Sequence, residues 1–365
     1  MGITLLSFVI VLGVLIFFHE FGHFLIARVF GVGVEKFSLG FGPRLLGKKI
    51  GRTDYRLSAI PLGGYVKMVG EEPDAEVDAA DIPVSFTHKH VVKRMCIVAA
   101  GPIFNILLAI IIFFGIFLIS GTFTLKPSVG TVRDASPAFA GGIKEGDLIT
   151  VIDGVPVSSW QDMTEIIGAS NGKTLEITVR REGSERVFRI TPELIPAKNV
   201  FGEDIQRFII GISASGDTFA EDLNPLQAFG ESLLQTYRIT ELMVVIIGKL
   251  ITGDISTDTI GGPIMIAKMA GDQAKSGIEN LIFFIALISV NLAIINLLPI
   301  PILDGGHLLF FFIEAIKGHP VSLKVREVAQ QIGLFIIILL VILVFYNDIF
   351  RYKDDILRFF QGIFS

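Results

Sequence analysis

The residues most able to do chemistry are two histidines and a glutamate in an otherwise apolar segment. His19, Glu20 and His23 follow a run, residues 3–18, that holds no charged side chain. On an α-helix, residues four apart lie on one face, so both imidazoles can point at one metal ion. The glutamate between them then has the position of a general base, as in the H-E-x-x-H pattern. A chance pattern, or polar side chains bonded to neighbouring helices, is the alternative. Ionisable groups at membrane depth are costly and usually functional, which favours the metal site.

The composition of the chain is that of an integral membrane protein. Of its 365 residues, 51% are hydrophobic and only 18% are charged, and the mean hydropathy is +0.66. Soluble proteins are nearer a quarter charged. A net charge of -5 gives no reason to expect a nucleic-acid partner, and the single cysteine, Cys96, excludes an internal disulfide framework and a cysteine-based zinc site.

Four segments are long and apolar enough to span a bilayer. They are residues 1–30, 95–120, 281–313 and 332–350, and a tail, residues 351–365, follows the last. Prolines and glycines interrupt the third segment near its middle, and such breaks occur where a helix lines a protein cavity. Residues 196–280 are predicted to form a linker with an amphipathic helix at the membrane surface, near 226–251. An ordinary soluble helix is the alternative there.

The part between the second and third spans has a different pattern. Residues 121–195 combine strand-like alternation, as in 175–179, with turn signals such as Asp153-Gly154 and Asn171-Gly172. We therefore predict an α-helical polytopic membrane protein with a small inserted α+β domain.

The placement of lysine and arginine predicts the orientation. The first loop, residues 31–94, holds ten of them, and the later loops do not discriminate between the two sides. The positive-inside rule makes this loop cytoplasmic, which puts the inserted domain and both termini outside the cytoplasm. We expect a multi-pass protein of a bacterial cytoplasmic (inner) membrane, with the 19–23 motif toward the cytoplasmic side.

A catalytic zinc site takes three protein ligands, so a third must come from elsewhere in the chain. Asp304 is the only carboxylate in the third span before Glu314, and a buried carboxylate needs a cation or a proton. His19 and Asp304 fall at similar predicted depths, because both spans run inward. A helix cap is the alternative role for Asp304. His307, three residues on, is a competing ligand that we interpret as a neighbour of the site.

These residues together resemble the site-2 protease family of intramembrane metalloproteases, and most of all its regulator-of-sigma-E protease branch. The resemblance rests on the 19–23 motif and on the pattern N-x-x-P-x-P-x-L-D-G at residues 296–305. It implies one Zn²⁺ per chain, held by His19, His23 and Asp304, with Glu20 as the catalytic base. It also implies substrate binding by Asn296 and Asn291, for which interhelical hydrogen bonding is the alternative.

The first loop has strand and turn signals between residues 34 and 68. An exposed strand edge there could pair with an extended substrate and hold it open, through Gly64, Tyr65 and Val66. The family resemblance implies a membrane-associated β-hairpin near the zinc. A plain cytoplasmic loop is the alternative.

The inserted domain also resembles a PDZ module. In that resemblance the carboxylate-binding loop is Val129, Gly130, Thr131 and Val132, and residues 142–149 are a typical internal stretch. Such a domain could capture a newly cut C-terminus or exclude uncut substrates by size; a rigid spacer would do neither.

The resemblance implies hydrolysis of a peptide bond in or near the transmembrane segment of single-pass membrane proteins. An anti-sigma factor, already trimmed by a site-1 protease, or a remnant signal peptide would be such a substrate, and the lipid bilayer is the other expected partner. A non-proteolytic scaffold and a metal or ion transporter are the rival functions. The scaffold predicts no bound zinc and no effect of Glu20→Gln, and the transporter leaves both the PDZ-like domain and the glutamate of the motif unexplained.

Overall fold

A computed structural model describes residues 2–72, 77–198, 204–256 and 261–353 of the chain. The chain divides into two compact units, which we call the membrane unit (Met1–Ile116 with Phe229–Ser365) and the inserted unit (Phe117–Ala228). Most of the predicted tail, from residue 354 onward, lies outside the described residues.

The described residues form nine α-helices, most of which belong to the membrane unit. In chain order they are α1 (Gly2–Val29), α2 (Val91–Ser120), α3 (Pro137–Gly141), α4 (Trp160–Gly168), α5 (Pro225–Thr252), α6 (Pro263–Ser276), α7 (Ile278–Leu297), α8 (Asp304–Lys317) and α9 (Leu323–Arg351). By length and composition, α1, α2, α7 and α9 could each cross a membrane. The chain is therefore a helical membrane protein, as its composition predicts.

The predicted third span is two helices. Between α7 and α8, Pro299 and Pro301 cannot donate a backbone hydrogen bond, and Leu298 is extended (φ −61°, ψ 143°), as residues before proline usually are. The return into α8 is tight, because a Cβ on Gly305 would lie 2.3 Å from the carbonyl oxygen of Leu297. The break puts Asp304 in the first turn of α8, where its side chain does not cap the helix.

The first loop forms an antiparallel pair of long, bent strands, β1 (Val34–Ile50) and β2 (Thr53–Met68). Phe37 pairs with both Tyr55 and Val66, so the first half of β1 lies between the two halves of β2. Gly40 and Gly42, with φ of +87° and +84°, lie where β1 bends. The last residues of β2, from Gly64 to Met68, therefore form one edge of this sheet.

Helix α6 was not predicted; its residues fall within the predicted linker. It packs against α1, and its N-terminus is fixed by Asp348 of α9. The fully buried Asp348 carboxylate accepts hydrogen bonds from the backbone N–H groups of Gly262, Ile264 and Met265, at 2.9–3.1 Å. A carboxylate is favourable at this end of a helix, where backbone donors have no partner within the helix.

The inserted unit is a mixed α+β domain that extends past the predicted boundary at residue 195. Its strands are β3 (Thr122–Leu125), β4 (Val129–Val132), β5 (Leu148–Ile152), β6 (Val155–Pro156), β7 (Leu175–Arg181), β8 (Ser184–Ile190), β9 (Glu193–Lys198), β10 (Asp204–Ile209), β11 (Ile212–Ala214) and β12 (Thr218–Glu221). Strands β6-β5-β7-β8 form one sheet, and β3, β4 and β9 pair with β12, β11 and β10. The later strands thus return to pair with the first ones.

A buried ion pair lies beside the core of the inserted unit. Asp147, fully buried, accepts hydrogen bonds from Arg181 at 2.6 Å. Burial by itself raises the pKa of Asp147, but these bonds hold it below the usual carboxyl value. The pair therefore stabilises the unit at neutral pH, and its contribution is lost as the pH falls toward the lowered pKa.

Candidate active site

Two imidazoles and one carboxylate converge between α1 and α8. The Nε2 atoms of His19 and His23 lie 3.2 Å apart. They lie 3.1 and 3.6 Å from Oδ2 of Asp304. His19 and His23 are one helical turn apart on α1, and the proline break delivers Asp304 to the same point. These are the three predicted ligands. Their ligand atoms lie within 4.8 Å of one another, which is close enough to hold a metal ion.

The geometry of these three atoms fits zinc. With bonds of about 2.0–2.1 Å, the ligand atoms of a tetrahedral zinc site lie about 3.3 Å from one another. The three observed separations, 3.1 to 3.6 Å, bracket that value. In addition, the buried Oδ2 of Asp304 lacks a hydrogen-bond partner among the described residues, which is costly unless a cation faces it.

Helix α2 orients both imidazoles from behind. Nδ1 of His23 lies 2.9 Å from the carbonyl oxygen of Ile97, and Nδ1 of His19 lies 3.3 Å from the side-chain amide of Asn105. Glycines allow the close approach of the two helices. A Cβ on Gly101 would lie 2.3 Å from Nε2 of His23, and one on Gly22 would lie 2.4 Å from a backbone oxygen of α2.

Glu20 faces the edge strand of the first loop. Its carboxylate accepts a hydrogen bond from the backbone N–H of Val66, and a Cβ on Gly64 would approach its Cγ to 3.1 Å. Two residues further along the strand, the N–H of Met68 donates to Glu71 at 3.0 Å. Burial raises the pKa of Glu71. Two carboxylates thus accept hydrogen bonds from the outward-facing N–H groups of this edge.

One cavity of about 500 Å³ joins these groups. Its lining includes the three converging side chains, Glu20, Tyr65, Val66 and His307. The lining also includes Arg94 and Arg326, which form an ion cluster with Glu314. Arg94 donates to Glu314 (Nη1–Oε2 3.3 Å), and Arg326 lies 3.6 Å from the same oxygen, so the cluster connects α2, α8 and α9.

The other predicted site residues lie in different places. His307 lines the cavity but is not part of the converging group. Asn291 and Asn296 are half-buried on α7 and do not line the cavity, so their substrate-binding role stays a prediction.

The predicted carboxylate-binding loop of the inserted unit is a strand. Val129, Gly130, Thr131 and Val132 form β4, which pairs with β11, and Val129 is fully buried. None of the four lines the groove of about 180 Å³ that lies between α4 and residues 207–212. These four residues form a strand rather than a loop because they pair with β11, which comes about 80 residues later in the chain, and local sequence does not indicate that pairing. Their role in carboxylate binding stays a prediction.

Sequence reasoning also missed Asn105 and Gly101. Signals for both exist: Asn105 is a lone amide within an apolar helix, and Gly101 precedes a proline inside that helix. Neither signal identifies the partner, because His19 is 86 residues away from Asn105 in the chain.

Known proteins are similar to this chain over nearly its whole length. The sequence model described as peptidase family M50 matches residues 7–340. A candidate zinc metalloprotease of Agrobacterium fabrum is 37% identical over 358 residues, covering 94% of this chain and 95% of the relative. Zinc metalloprotease RasP of Geobacillus kaustophilus is 31% identical over 423 residues, covering 96% of this chain and 98% of the relative.

Solved structures also match part of the chain, and a PDZ domain is among them. The PDZ domain of an SdrC-like protein from Listeria monocytogenes is 30% identical, covers 24% of this chain and 84% of its own, and has a TM-score of 0.20.

The family match extends over nearly the whole length, and the relatives are aligned almost end to end. It includes both segments whose side chains converge in the cavity, residues 19–23 and Asp304. The predicted resemblance is confirmed: the chain belongs to peptidase family M50, the site-2 proteases, and is an intramembrane zinc metalloprotease.

Proposed function

We propose that the chain hydrolyses a peptide bond in or near the transmembrane segment of single-pass membrane proteins. In this proposal His19, His23 and Asp304 hold one zinc ion, and Glu20 is the general base. The observation that carries it is the convergence of the three ligand atoms, 3.1–3.6 Å apart, beside Glu20 in one cavity.

The roles follow from the chemistry of the side chains. When bound, zinc would polarise the scissile carbonyl and make a water molecule more acidic. Glu20 would accept the proton of that water and pass it to the leaving amine. Its bond to the N–H of Val66 supports this role, because it holds the carboxylate at the strand edge beside the ligands.

Replacing Glu20 by Gln separates catalysis from metal binding. Glu20→Gln removes the proton acceptor but keeps the shape of the side chain, so zinc content stays at the wild-type level while kcat falls by about 10²–10⁴-fold. Glu35→Gln, which changes a half-buried glutamate of β1 outside the cavity lining, is the matched control and should cleave normally. Zinc analysis and cleavage of a single-pass reporter in detergent measure both. Normal turnover by Glu20→Gln would remove Glu20 from this role.

A substrate helix must be unwound before its peptide bonds can react, and the edge strand from Gly64 to Met68 offers a way to hold it open. The N–H groups of Val66 and Met68 point away from the sheet, toward Glu20 and Glu71. Because peptide groups alternate in direction along a strand, Gly64 points the same way. We infer that an extended substrate pairs along this edge, with Gly64, Tyr65 and Val66 as its contacts.

Strand pairing predicts a period of two in a proline scan of the substrate. A proline lacks the N–H that a ladder bond needs, and only every second substrate N–H faces the edge strand. Cleavage of a single-pass reporter should therefore fall several-fold at alternate positions of the unwound segment. Gel-based rates for each variant measure the pattern, and alanine at the same positions is the control. Uniform loss across the scan, or none, would contradict strand addition.

The groove of the inserted unit is the proposed peptide-binding site of its PDZ-like domain. It lies between helix α4 and an extended segment, residues 207–212, and its lining includes Trp160, Thr164 and Ile210. A helix beside an extended segment suits a peptide that adds as a strand. The groove would either capture a newly cut C-terminus, or belong to a domain whose bulk excludes uncut substrates.

Adding a tryptophan to the groove by substitution at Thr164 distinguishes these two roles. Thr164→Trp fills the groove without changing the size of the domain, so capture predicts several-fold slower cleavage of a trimmed substrate and an unchanged rate for the uncut one. Glu165→Trp, exposed on the same helix and outside the groove lining, is the control. Paired rates on the two substrates measure the effect. Equal rates for Thr164→Trp and the wild type would contradict capture.

The basic first loop supports a bacterial cytoplasmic membrane location with that loop inside and the PDZ-like domain outside. Substrates of this class include anti-sigma factors, trimmed first by a site-1 protease, and remnant signal peptides. Asn291 and Asn296 of α7 are further proposed substrate contacts, supported by the polar character of both side chains in an apolar helix.

Mass spectrometry of membrane proteins that accumulate in cells carrying Glu20→Gln would identify the substrates. If no single-pass membrane protein accumulated, the proposed cleavage of such proteins would be contradicted.

A further inference from the structure

We propose that Asn105 is a positioning residue for the metal site: its side-chain carbonyl accepts a hydrogen bond from Nδ1–H of His19 and fixes the orientation of that imidazole. The inference rests on the proposed zinc ligation by His19 and adds a residue from α2 to it.

The position of Asn105 is tightly constrained. The residue is fully buried, and its side-chain amide lies 3.3 Å from Nδ1 of His19. Its backbone carbonyl accepts a hydrogen bond of 2.7 Å from the hydroxyl of the fully buried Ser289 on α7. The hydrogen bond from Ser289 fixes the backbone of Asn105, and burial keeps bulk water from competing for its side-chain amide.

The protonation pattern of His19 decides which end of the amide must face it. Nε2 is the ring atom that points at His23 and Asp304, so Nε2 must carry the free lone pair that binds a metal. A neutral imidazole then has its hydrogen on Nδ1, which becomes a donor. A donor on His19 requires an acceptor on Asn105, and of the two amide atoms only Oδ1 accepts.

The structure places Nδ2 of Asn105 against Nδ1 of His19, which would set two donors face to face. Oδ1 and Nδ2 have nearly the same shape, and their assignment follows from the hydrogen bonds around them. Oδ1, where it now points, has no hydrogen-bond partner among the described residues. Exchanging the two atoms gives Oδ1 a hydrogen-bond donor. Oδ1 loses no hydrogen bond in the exchange, because it makes none with the described residues in its present position.

His23 has the same arrangement. Its Nε2 points at the other ligands, and its Nδ1 lies 2.9 Å from the carbonyl oxygen of Ile97. Helix α2 thus supplies one acceptor to each imidazole, a backbone oxygen for His23 and a side-chain oxygen for His19. Acceptors of this kind fix the tautomer and ring orientation of metal-binding histidines. Only the one on Asn105 can be removed by substitution.

Two substitutions at this position separate the hydrogen bond from packing. Asn105→Leu keeps a similar volume without an acceptor, and Asn105→Asp keeps an acceptor oxygen. Competition with a fluorescent zinc chelator, on the full chain in detergent, should show zinc affinity about 10–100-fold weaker for Asn105→Leu. Asn105→Asp should remain within a few-fold of the wild type. Melting of each metal-free chain shows whether the variants fold.

Different outcomes test the role of Asn105 and the zinc site itself. Wild-type affinity in a folded Asn105→Leu chain would overturn the positioning role, as would equal weakening in folded Leu and Asp variants. His19→Ala is the reference for complete loss of that ligand. If the wild-type chain binds zinc no more tightly than His19→Ala, the proposed zinc site itself fails, whatever Asn105 does.

Discussion

The architecture of the membrane unit depends on one electrostatic constraint: Asp304 and two imidazoles meet at a point with little access to water. A carboxylate moved out of water costs several kcal/mol unless a cation or hydrogen-bond donors compensate it. Within the part of the chain that the structure describes, the buried Oδ2 atom of Asp304 has no hydrogen-bond donor, and two ring nitrogens face it at 3.1 and 3.6 Å. A divalent cation bound at that point would convert an unfavourable cluster into a stable site.

Three backbone features make this convergence possible. The four-residue spacing on α1 puts both imidazoles on one face, and the break between α7 and α8 begins a new helix at Asp304. The third is close packing: Gly101 leaves room for the ring of His23, and Gly305 leaves room for the chain to turn back against Leu297. A side chain at either glycine would push its helix away, by more than the tolerance of a metal site, which is a few tenths of an ångström.

Much of this could be predicted from sequence because it depends on local spacing. Helical periodicity predicts His19 and His23 as metal ligands. Asp304 is predicted as the third ligand because it is the carboxylate of an apolar span with a proline break. Features that depend on distant pairing could not be predicted. Asn105 meets His19 only because α1 and α2 pack together, and β4 became a strand because β11 pairs with it. The same holds for α6, whose start is set by Asp348, 86 residues after Gly262.

The central claim is that His19, His23 and Asp304 bind the catalytic zinc ion. Zinc K-edge X-ray absorption on the purified full chain, beside an Asp304→Ala variant, tests it most directly. We expect about one zinc per chain, with two imidazole ligands and only nitrogen and oxygen neighbours at about 2.0–2.2 Å. We also expect a large loss of zinc in Asp304→Ala. A sulfur shell near about 2.3 Å, or the same zinc content and spectrum in both proteins, would contradict it.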